Sequence, residues 1–259
     1  MLGGVTIKHV MAIVLGAGKG VRMKSNLPKV LHQLQGKPLI SHVIDNIRDA
    51  GISDIVLVVG FRGDEVIKAV DDKVRIVWQH EQLGTGHAVL QSESALSHFR
   101  GNLLVACGDA PMIKPRSFLR LIESVNKREC GAAVLTMNIE KPDGYGRIVK
   151  DDDGNIIRIV EEKDANPEEK RIREVNTGTY VFDKDMLFAG LRTVSANNAQ
   201  GEYYLPDVIQ YIRENGSRVN AVVLEDSREG SGVNSREELE MLDNYFQQHR
   251  DWSETTIVK

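Results

Sequence analysis

The sequence is poor in cysteine, has no long hydrophobic run and carries no excess of positive charge. Its two cysteines, Cys107 and Cys130, lie in apolar surroundings without the spacing of metal ligands, so we expect buried free thiols. The apolar run 10–15 is far shorter than the ~20 residues of a membrane span, and glycines follow it rather than a cleavage site. The net charge of −4 gives no electrostatic footprint for nucleic acid. We therefore expect a cytoplasmic protein without nucleic-acid or membrane partners.

Apolar runs rich in β-branched residues alternate with helix-like segments over the first 140 residues. Breaker residues bound these runs, which predict buried strands at 11–15, 54–59, 74–78, 102–107 and 132–137. Residues 39–47 have helical spacing after Pro38, and Gly51 is placed to cap that helix. The alternation predicts an α/β fold with a Rossmann-like, mixed but mostly parallel sheet and helices on both faces.

The pattern changes after about residue 140. Residues 145–150 and 156–162 predict a hairpin around a DDDGN turn, and 175–182 predicts a further strand, so this part is expected to be antiparallel or mixed. The charged segment 163–174 predicts a loop. An amphipathic pattern near the carboxyl end predicts a helix that packs on the rest of the protein, through Leu239, Leu242, Tyr245 and Phe246.

The stretch VLGAGKGVRMKSNLPKVL, residues 14–31, contains glycines at alternate positions directly after the first predicted strand. A P-loop requires two glycines five apart with a lysine after the second, and the dinucleotide fingerprint requires a third glycine where Val21 or Met23 stands. Neither motif fits. What remains is a glycine turn whose amides can approach an anion closely, which favours a phosphate site over a purely structural turn.

Basic residues within the same stretch strengthen the phosphate interpretation. Arg22 can fork across two phosphate oxygens, and Lys29 supplies a point charge that the preceding Pro28 restrains. The cations together suggest more than one phosphate, although Lys19 and Lys24 also fit a solvated basic loop. Ligands of parallel sheets bind outside the carboxyl ends of the strands, and both this loop and the CGDAP segment at 107–111 are expected there.

Asp109 follows the strand predicted at 102–107 directly. Its carboxylate is expected at the edge of the sheet where a hard cation with phosphate ligands would sit. A turn-forming Asp before Ala-Pro fits the same pattern. The residues alone leave both interpretations open.

The string LGAGKGVRMKSNLPKVLH resembles the signature of the nucleoside-diphosphate-sugar pyrophosphorylases. Further motifs similar to those of this family follow in order over residues 11 to about 248, namely QHEQLGTGHA (79–88), CGDAP (107–111), GYGRI (144–148), VEEKD (160–164), VNTGTYVF (175–182), AQGEYYLPD (199–207) and GVNSR (232–236). The resemblance implies the nucleotide-diphospho-sugar transferase fold. It also implies Mg²⁺-dependent uridylyl transfer from UTP to N-acetylglucosamine 1-phosphate, with release of pyrophosphate.

The resemblance assigns roles to individual residues. The implied nucleotide-binding residues of the first loop are Leu15, Gly16, Ala17 and Gly18, which act through backbone groups. Gln79, Gly84 and Thr85 form the implied pocket for the uracil base, and Gly108 is a further implied nucleotide-binding residue. Arg22 faces the departing pyrophosphate, and Lys29 bridges the α-phosphate and the sugar phosphate. Asp109 and Asn234 are the implied Mg²⁺ ligands, so the implied catalytic residues are Arg22, Lys29 and Asp109. The implied sugar-binding residues are Gly146, Glu161, Asn176 and Glu202.

The same resemblance implies one nucleotidyltransferase domain at 1–234, with a nucleotide-binding part at about 11–140, a smaller antiparallel sugar-binding part at 141–234, and a carboxyl-terminal helix and tail at 235–259. It does not extend to the acetyltransferase β-helix of some members, because the sequence shows no hexapeptide repeats. We therefore expect the uridylyl step alone, or an excised or split domain. A homo-oligomer and a separate acetyltransferase are the candidate partners.

Three positions depart from the family pattern near the implied sugar site. Cys107 stands where the family typically has Tyr, Glu162 replaces a frequent His, and Pro206 replaces a Thr. The alternatives are therefore another sugar 1-phosphate, such as glucose 1-phosphate, another nucleoside triphosphate, or a non-catalytic subunit that binds nucleotide sugars.

Overall fold

The computed structural model describes residues 9–126 and 130–248. Within these residues the strands are β1 (Val10–Gly16), β2 (Gln33–Leu34), β3 (Lys37–Pro38), β4 (Ile55–Val59), β5 (Arg75–Trp78), β6 (Asn102–Cys107), β7 (Cys130–Asn138), β8 (Arg147–Lys150), β9 (Ile156–Val160), β10 (Glu174–Asp183) and β11 (Arg218–Val223). The helices are α1 (Leu39–Asp49), α2 (Gly63–Lys68), α3 (Thr85–Leu90), α4 (Pro115–Asn126), α5 (Lys184–Leu191), α6 (Asp207–Glu214) and α7 (Arg236–Gln248).

A nine-stranded mixed sheet organises the fold, with the order β11-β7-β10-β6-β1-β4-β5 and the hairpin β8–β9 attached to β10. The strands β6, β1, β4 and β5 are parallel to one another, and β11 is parallel to β7. Strand β10 runs antiparallel to both β6 and β7. The short strands β2 and β3 form a separate ribbon.

Helices cover both faces of the sheet. Because the side chains of successive strand residues point to opposite faces, each central strand contributes to two buried clusters. On one face Ala12 and Val14 of β1 share a buried cluster with Ile40 of α1 and Phe118 of α4. On the other face Met11 and Ile13 belong to a second cluster, which contains residues of α5 and α6 such as Leu187, Phe188, Val208 and Ile209. Burial from both sides explains why β1 reads as a continuous apolar run.

The strands and the helix predicted over the first 140 residues are confirmed, with bounds that differ by one or two residues. Helix α1 follows Pro38, and Gly51 takes a left-handed conformation at its end with φ +88°. The prediction did not show where β7 pairs. β10 inserts between β6 and β7, so β7 runs in the same direction as β6 but pairs with the antiparallel strand β10 instead of with β6.

The predicted elements after residue 140 are also present. The hairpin forms from β8 and β9 and joins the main sheet through the pair Val175–Arg147. The segment 163–174 is irregular apart from one 3-10 turn at 169–171 and the first residue of β10. Helix α7 packs through the four predicted side chains against a small cluster formed by Met23, Leu34, Leu39, Met112 and Val233. None of the described helices has the length and apolarity needed to cross a membrane.

A buried carboxylate fastens α4 to the segment that precedes α7. The Glu229 side chain is 1% exposed. Its oxygens accept hydrogen bonds from the Ser117 hydroxyl at 2.6 Å and from Arg116 Nη2 at 3.2 Å. Lys114 Nζ lies 3.9 Å away. A carboxylate held out of water in this way is stable only while its partners stay in place.

Replacing Glu229 by Ala should therefore lower the free energy of unfolding by about 3 kcal/mol, because it leaves buried donors and nearby cations without their acceptor. The urea midpoint measures this loss. The matched control is Glu225→Ala, which breaks the pair with Arg120, and the two side chains are 71% and 42% exposed. That control should cost less than about 1 kcal/mol. Equal midpoints for the two variants would show that the Glu229 network is not important for stability.

Candidate active site

The carboxyl ends of β1 and β6 lie side by side. Leu15 is the parallel register partner of Cys107, and the Gly108 amide donates to the Leu15 carbonyl at 2.9 Å. The glycine loop that begins at Gly16 and the segment that contains Asp109 therefore leave the sheet at the same edge. The chain continues from β1 to β4 on one side and returns to β6 on the other, which makes this edge a topological switch point.

The Lys29 ammonium lies between the two side chains implied as metal ligands. Its Nζ forms an ion pair with the Asp109 carboxylate and donates to Asn234 Oδ1 at 3.1 Å. Arg22 Nη2 donates to the same amide oxygen at 2.8 Å. The side chains of Lys29 and Asp109 are 19% and 14% exposed, so water screens their attraction only weakly. The structure thus brings these four predicted residues together.

The glycine loop is shaped to let Lys29 reach this position. Gly20 has φ +64°, and a Cβ there would lie 2.4 Å from the Cβ of Lys29, so no other residue fits without a shift. A Cβ on Gly18 would meet nothing within 4 Å, which means that the backbone at Gly18 borders open space. The arrangement leaves backbone accessible to a ligand beside two cations.

A cleft of about 280 Å³ extends from the Lys29 cluster towards the β8–β9 hairpin. Three of the predicted sugar-binding residues line it, together with residues predicted to bind the nucleotide, to bind the metal ion or to be catalytic; these are Gly146, Glu161 and Asn176 with Leu15, Thr85, Arg22, Asp109 and Asn234. An adjoining cavity of about 480 Å³ shares Arg22 and Glu161 with the cleft and is also bordered by Lys29 and Lys163. The site therefore has a cationic side and a carboxylate side.

A bulge in β10 directs Asn176 to the cleft. The register against β7 shifts between Asn176 and Thr179, and Gly178 takes a left-handed conformation with φ +76°. The Asn176 Oδ1 atom accepts from the Gly178 amide at 3.0 Å, and Nδ2 donates to the Tyr180 hydroxyl at 2.6 Å. These bonds fix the orientation of an amide that can both donate and accept.

The Glu161 carboxyl lies in an electrostatically unfavourable place for a negative charge. Burial raises its pKa to about 7, with further contributions from Asp207, Asp164 and Glu202, while Arg147 opposes the shift. Burial and Asp164 likewise raise the pKa of Asp207 to about 6. A carboxyl group that titrates near neutrality in a cleft is a marker of a functional site.

Eight predicted site residues are not part of the cleft lining. Lys29 borders the adjoining cavity instead, and the others are Gly16, Ala17, Gly18, Gln79, Gly84, Gly108 and Glu202. Gln79 is 3% exposed and lies behind the loop that carries Gly84 and Thr85, where its Nε2 donates to the Gly84 carbonyl at 3.0 Å and lies 3.0 Å from His87 Nδ1. The charge of Glu202 contributes to the raised pKa of Glu161. Of the loop residues, Gly16 and Ala17 are buried, and the Ala17 carbonyl accepts from the Phe61 amide at 3.0 Å.

Cys107 corrects one expectation, since it is only partly buried and lines the cleft. Burial of the sulfur and the nearby Asp109 charge raise the pKa of its thiol to about 12, so the sulfur is neutral and unsuited to nucleophilic attack. Cys130 is buried, as expected. Tyr145, Thr177 and Tyr180 also line the cleft and were not predicted as site residues, although the motifs GYGRI (144–148) and VNTGTYVF (175–182) contain them.

The donor set of Asp109 and Asn234 fits a hard cation. Both residues present oxygen atoms, and both oxygens already contact a single positive group, the Lys29 ammonium. Among residues 9–126 and 130–248 no group of three or more His, Cys, Asp or Glu side chains is placed to hold a metal ion. An ion at this position would thus have few protein ligands and would take its remaining oxygens from ligand and water, as Mg²⁺ commonly does.

The nucleotidyl transferase family pattern matches residues 11–255, and the chain belongs to this family. The chain is similar to the bifunctional protein GlmU of Oceanobacillus iheyensis, with 47% identity over 225 residues, and to that of Halalkalibacterium halodurans, with 48% identity over 225 residues. Each match covers 87% of this chain and 50% of the relative. The chain therefore spans about half the length of the curated relatives it matches.

The fold also matches that of a solved structure with much lower sequence identity. A crystal structure of UDP-glucose pyrophosphorylase complexed with UDP-glucose superimposes with a TM-score of 0.76 at 19% sequence identity, covering 93% of this chain and 99% of that chain. The nucleotide-diphospho-sugar transferase fold predicted from the sequence motifs is thereby confirmed.

The raised pKa of Glu161 predicts a measurable pH dependence of stability. Because the folded-state value of about 7 exceeds the ordinary value of 4.5, the folded protein holds a proton that the unfolded chain has released, and stability falls as the pH rises through this interval. Glu161→Gln removes this loss. The urea midpoint of this variant minus that of the unmodified protein should therefore increase as the pH is raised from about 5 to about 8.

Glu168→Gln, in the exposed part of the following loop, is the control for the loss of one carboxylate. For this control the difference in urea midpoint from the unmodified protein should stay constant with pH. The same constant difference for Glu161→Gln would contradict the proposed environment of Glu161.

Proposed function

We propose that the protein is a uridylyltransferase that makes UDP-N-acetylglucosamine and pyrophosphate from UTP and N-acetylglucosamine 1-phosphate. The observation that supports this most directly is the convergence of Arg22, Lys29, Asp109 and Asn234 at the switch point between β1 and β6, beside a cleft of sugar size. Relatives named bifunctional protein GlmU, at 47% and 48% identity, support the same choice of reaction.

The reaction is a displacement at the α-phosphorus of UTP. A phosphate oxygen of the sugar 1-phosphate forms the new P–O bond, the bond from the α-phosphorus to the oxygen bridging to the β-phosphate breaks, and pyrophosphate leaves with that electron pair. The attacking oxygen is already ionised, so no protein base is needed. The protein has to bring two highly charged reactants together and to neutralise the charge that shifts to the leaving group.

The cations of the site meet these needs. Lys29 is less exposed than Arg22 and pairs with Asp109, and it is assigned to the α-phosphate and the attacking sugar phosphate. Arg22 is assigned to the departing pyrophosphate. Backbone groups of Leu15, Ala17 and Gly18 are assigned to the nucleotide. In this assignment Gly84 and Thr85 contact the base directly. Gln79 orients their loop and contacts the base only if it leaves its bond to Gly84.

Asp109 and Asn234 are the residues that would hold Mg²⁺. The bound ion would screen the phosphate charges and polarise the reacting phosphoryl group. The sugar is assigned to the opposite wall, where Glu161 offers hydroxyl acceptors, Asn176 offers a donor and an acceptor for the N-acetyl group, and Gly146 leaves room for the ring. A cytoplasmic location and partnership with an acetyltransferase belong to the same proposal.

A substrate panel tests the proposed reaction. Pyrophosphate release should be fastest with UTP and N-acetylglucosamine 1-phosphate when compared with dTTP, ATP and glucose 1-phosphate, because the amide of Asn176 and the pocket around residues 84–85 select both partners. A preference of about tenfold in kcat/KM is expected for the N-acetylated sugar. Faster turnover with glucose 1-phosphate would contradict the sugar assignment, and tight nucleotide binding without turnover would indicate a non-catalytic subunit.

Replacing Asp109 by Asn should lower kcat by about 100-fold or more, because the variant loses the charged ligand at the proposed ion site while the shape of the side chain is kept. Asp71→Asn is the matched control, since Asp71 pairs with Arg48 on the surface of the protein. It should leave kcat unchanged. Turnover of the Asp109 variant equal to that of the control would exclude a role for this carboxylate in the reaction.

A further inference from the structure

Arg147 is a buried cation beside the sugar-binding wall that the proposed mechanism does not use. It begins β8, and its side chain is 1% exposed. One Nη atom donates to the Tyr145 carbonyl, and Nη2 lies 2.6 Å from Glu162 Oε2. Among the described residues its Nε has no hydrogen-bond partner. The guanidinium thus joins the turn before β8 to the segment that follows β9.

These two segments contain two of the residues assigned to the sugar. Gly146 lies within the first segment, and its carbonyl accepts a hydrogen bond from the backbone N–H of Asn176 at 2.9 Å. Glu161 lies within the second, directly before Glu162. A Cβ at Gly146 would be 3.2 Å from Glu161 Oε1, so the two segments are in close contact at the cleft. Any displacement of one segment against the other changes the shape of the sugar-binding wall.

The ion pair also controls the charge balance at Glu161. Groups that titrate face Glu161 from several elements, namely Cys107, Asp164, Tyr180, Glu202, Tyr204 and Asp207. Arg147 is the cation whose charge lowers the pKa of Glu161. Arg22, Lys29 and Lys163 border the adjoining cavity, and Lys170 Nζ lies 4.0 Å from Glu162 Oε1. Because Glu162 binds the Arg147 guanidinium, it takes up part of the positive charge that Glu161 would otherwise experience.

We propose that Arg147 and Glu162 are positioning residues, whose ion pair holds Glu161 and the turn 144–146 in the geometry that recognises the sugar of the nucleotide sugar. The inference rests on the proposed function for the identity of the sugar. It assigns neither residue a contact with the substrate. If the ion pair acts in this way, breaking it weakens the binding of ligands that contain the sugar and leaves the binding of UTP unchanged. If the pair is needed only for folding, breaking it weakens the binding of both.

Titration calorimetry with UDP-N-acetylglucosamine and with UTP separates these roles. Glu162→Gln should weaken the affinity for UDP-N-acetylglucosamine about tenfold and change that for UTP less than about twofold. Glu162→Asp, which retains the charge, should restore most of the loss. Arg147→Gln should act like Glu162→Gln, and if it does not fold, the two Glu162 variants still decide the question. The matched control is Arg213→Gln, which breaks the pair with Asp151 in the turn between β8 and β9.

The pH dependence of UDP-N-acetylglucosamine binding gives a second readout. Glu162→Gln should move the acidic midpoint to lower pH, because Arg147 then acts more fully on Glu161, and Arg147→Gln should move it to higher pH. Equal weakening of both ligands, no weakening of either, or identical midpoints in all variants would overturn the proposal. The binding comparison needs no turnover, so absence of pyrophosphate release by the unmodified protein would contradict the proposed function separately.

Discussion

The pairing of one ammonium group with two oxygen-bearing side chains holds the site together. Lys29 comes from the loop after β1, Asp109 follows β6, and Asn234 precedes α7, so three distant segments meet at one positive charge. At such partial burial, opposite charges in contact attract by several kcal/mol before the cost of removing them from water is counted. The parallel register of β1 and β6 makes this meeting possible, since it brings both strand ends to one edge of the sheet.

The large elements of the fold were accessible from local sequence patterns. The run at 11–15 is apolar at every position because both faces of β1 are covered, and the spacing within 39–47 matches the buried side of α1. Strand pairing was less accessible. The insertion of β10 between β6 and β7 depends on contacts between segments that lie far apart in the chain, and periodicity within a strand does not specify its neighbours.

The same distinction applies to the site. The glycine loop, its cations and Asp109 were predicted to share an edge, because strand ends of a parallel sheet are ordered by a general rule. The burial of Gln79 behind residues 84–85 and the pairing of Arg147 with Glu162 were not predicted. Both depend on side-chain contacts within folded loops and hairpins. The unusual environment of Glu161 has the same origin, since its acidic neighbours come from separate segments of the chain.

The proposed reaction requires the glycine loop and the Asp109–Asn234 pair to act on one triphosphate. A crystal structure with a non-hydrolysable UTP analogue and Mn²⁺ tests this requirement most directly. The expected result is an anomalous peak that contacts Asp109 and Asn234, with the triphosphate along residues 15–20 and beside Lys29. A nucleotide bound elsewhere, or a metal ion distant from both side chains, would contradict the account.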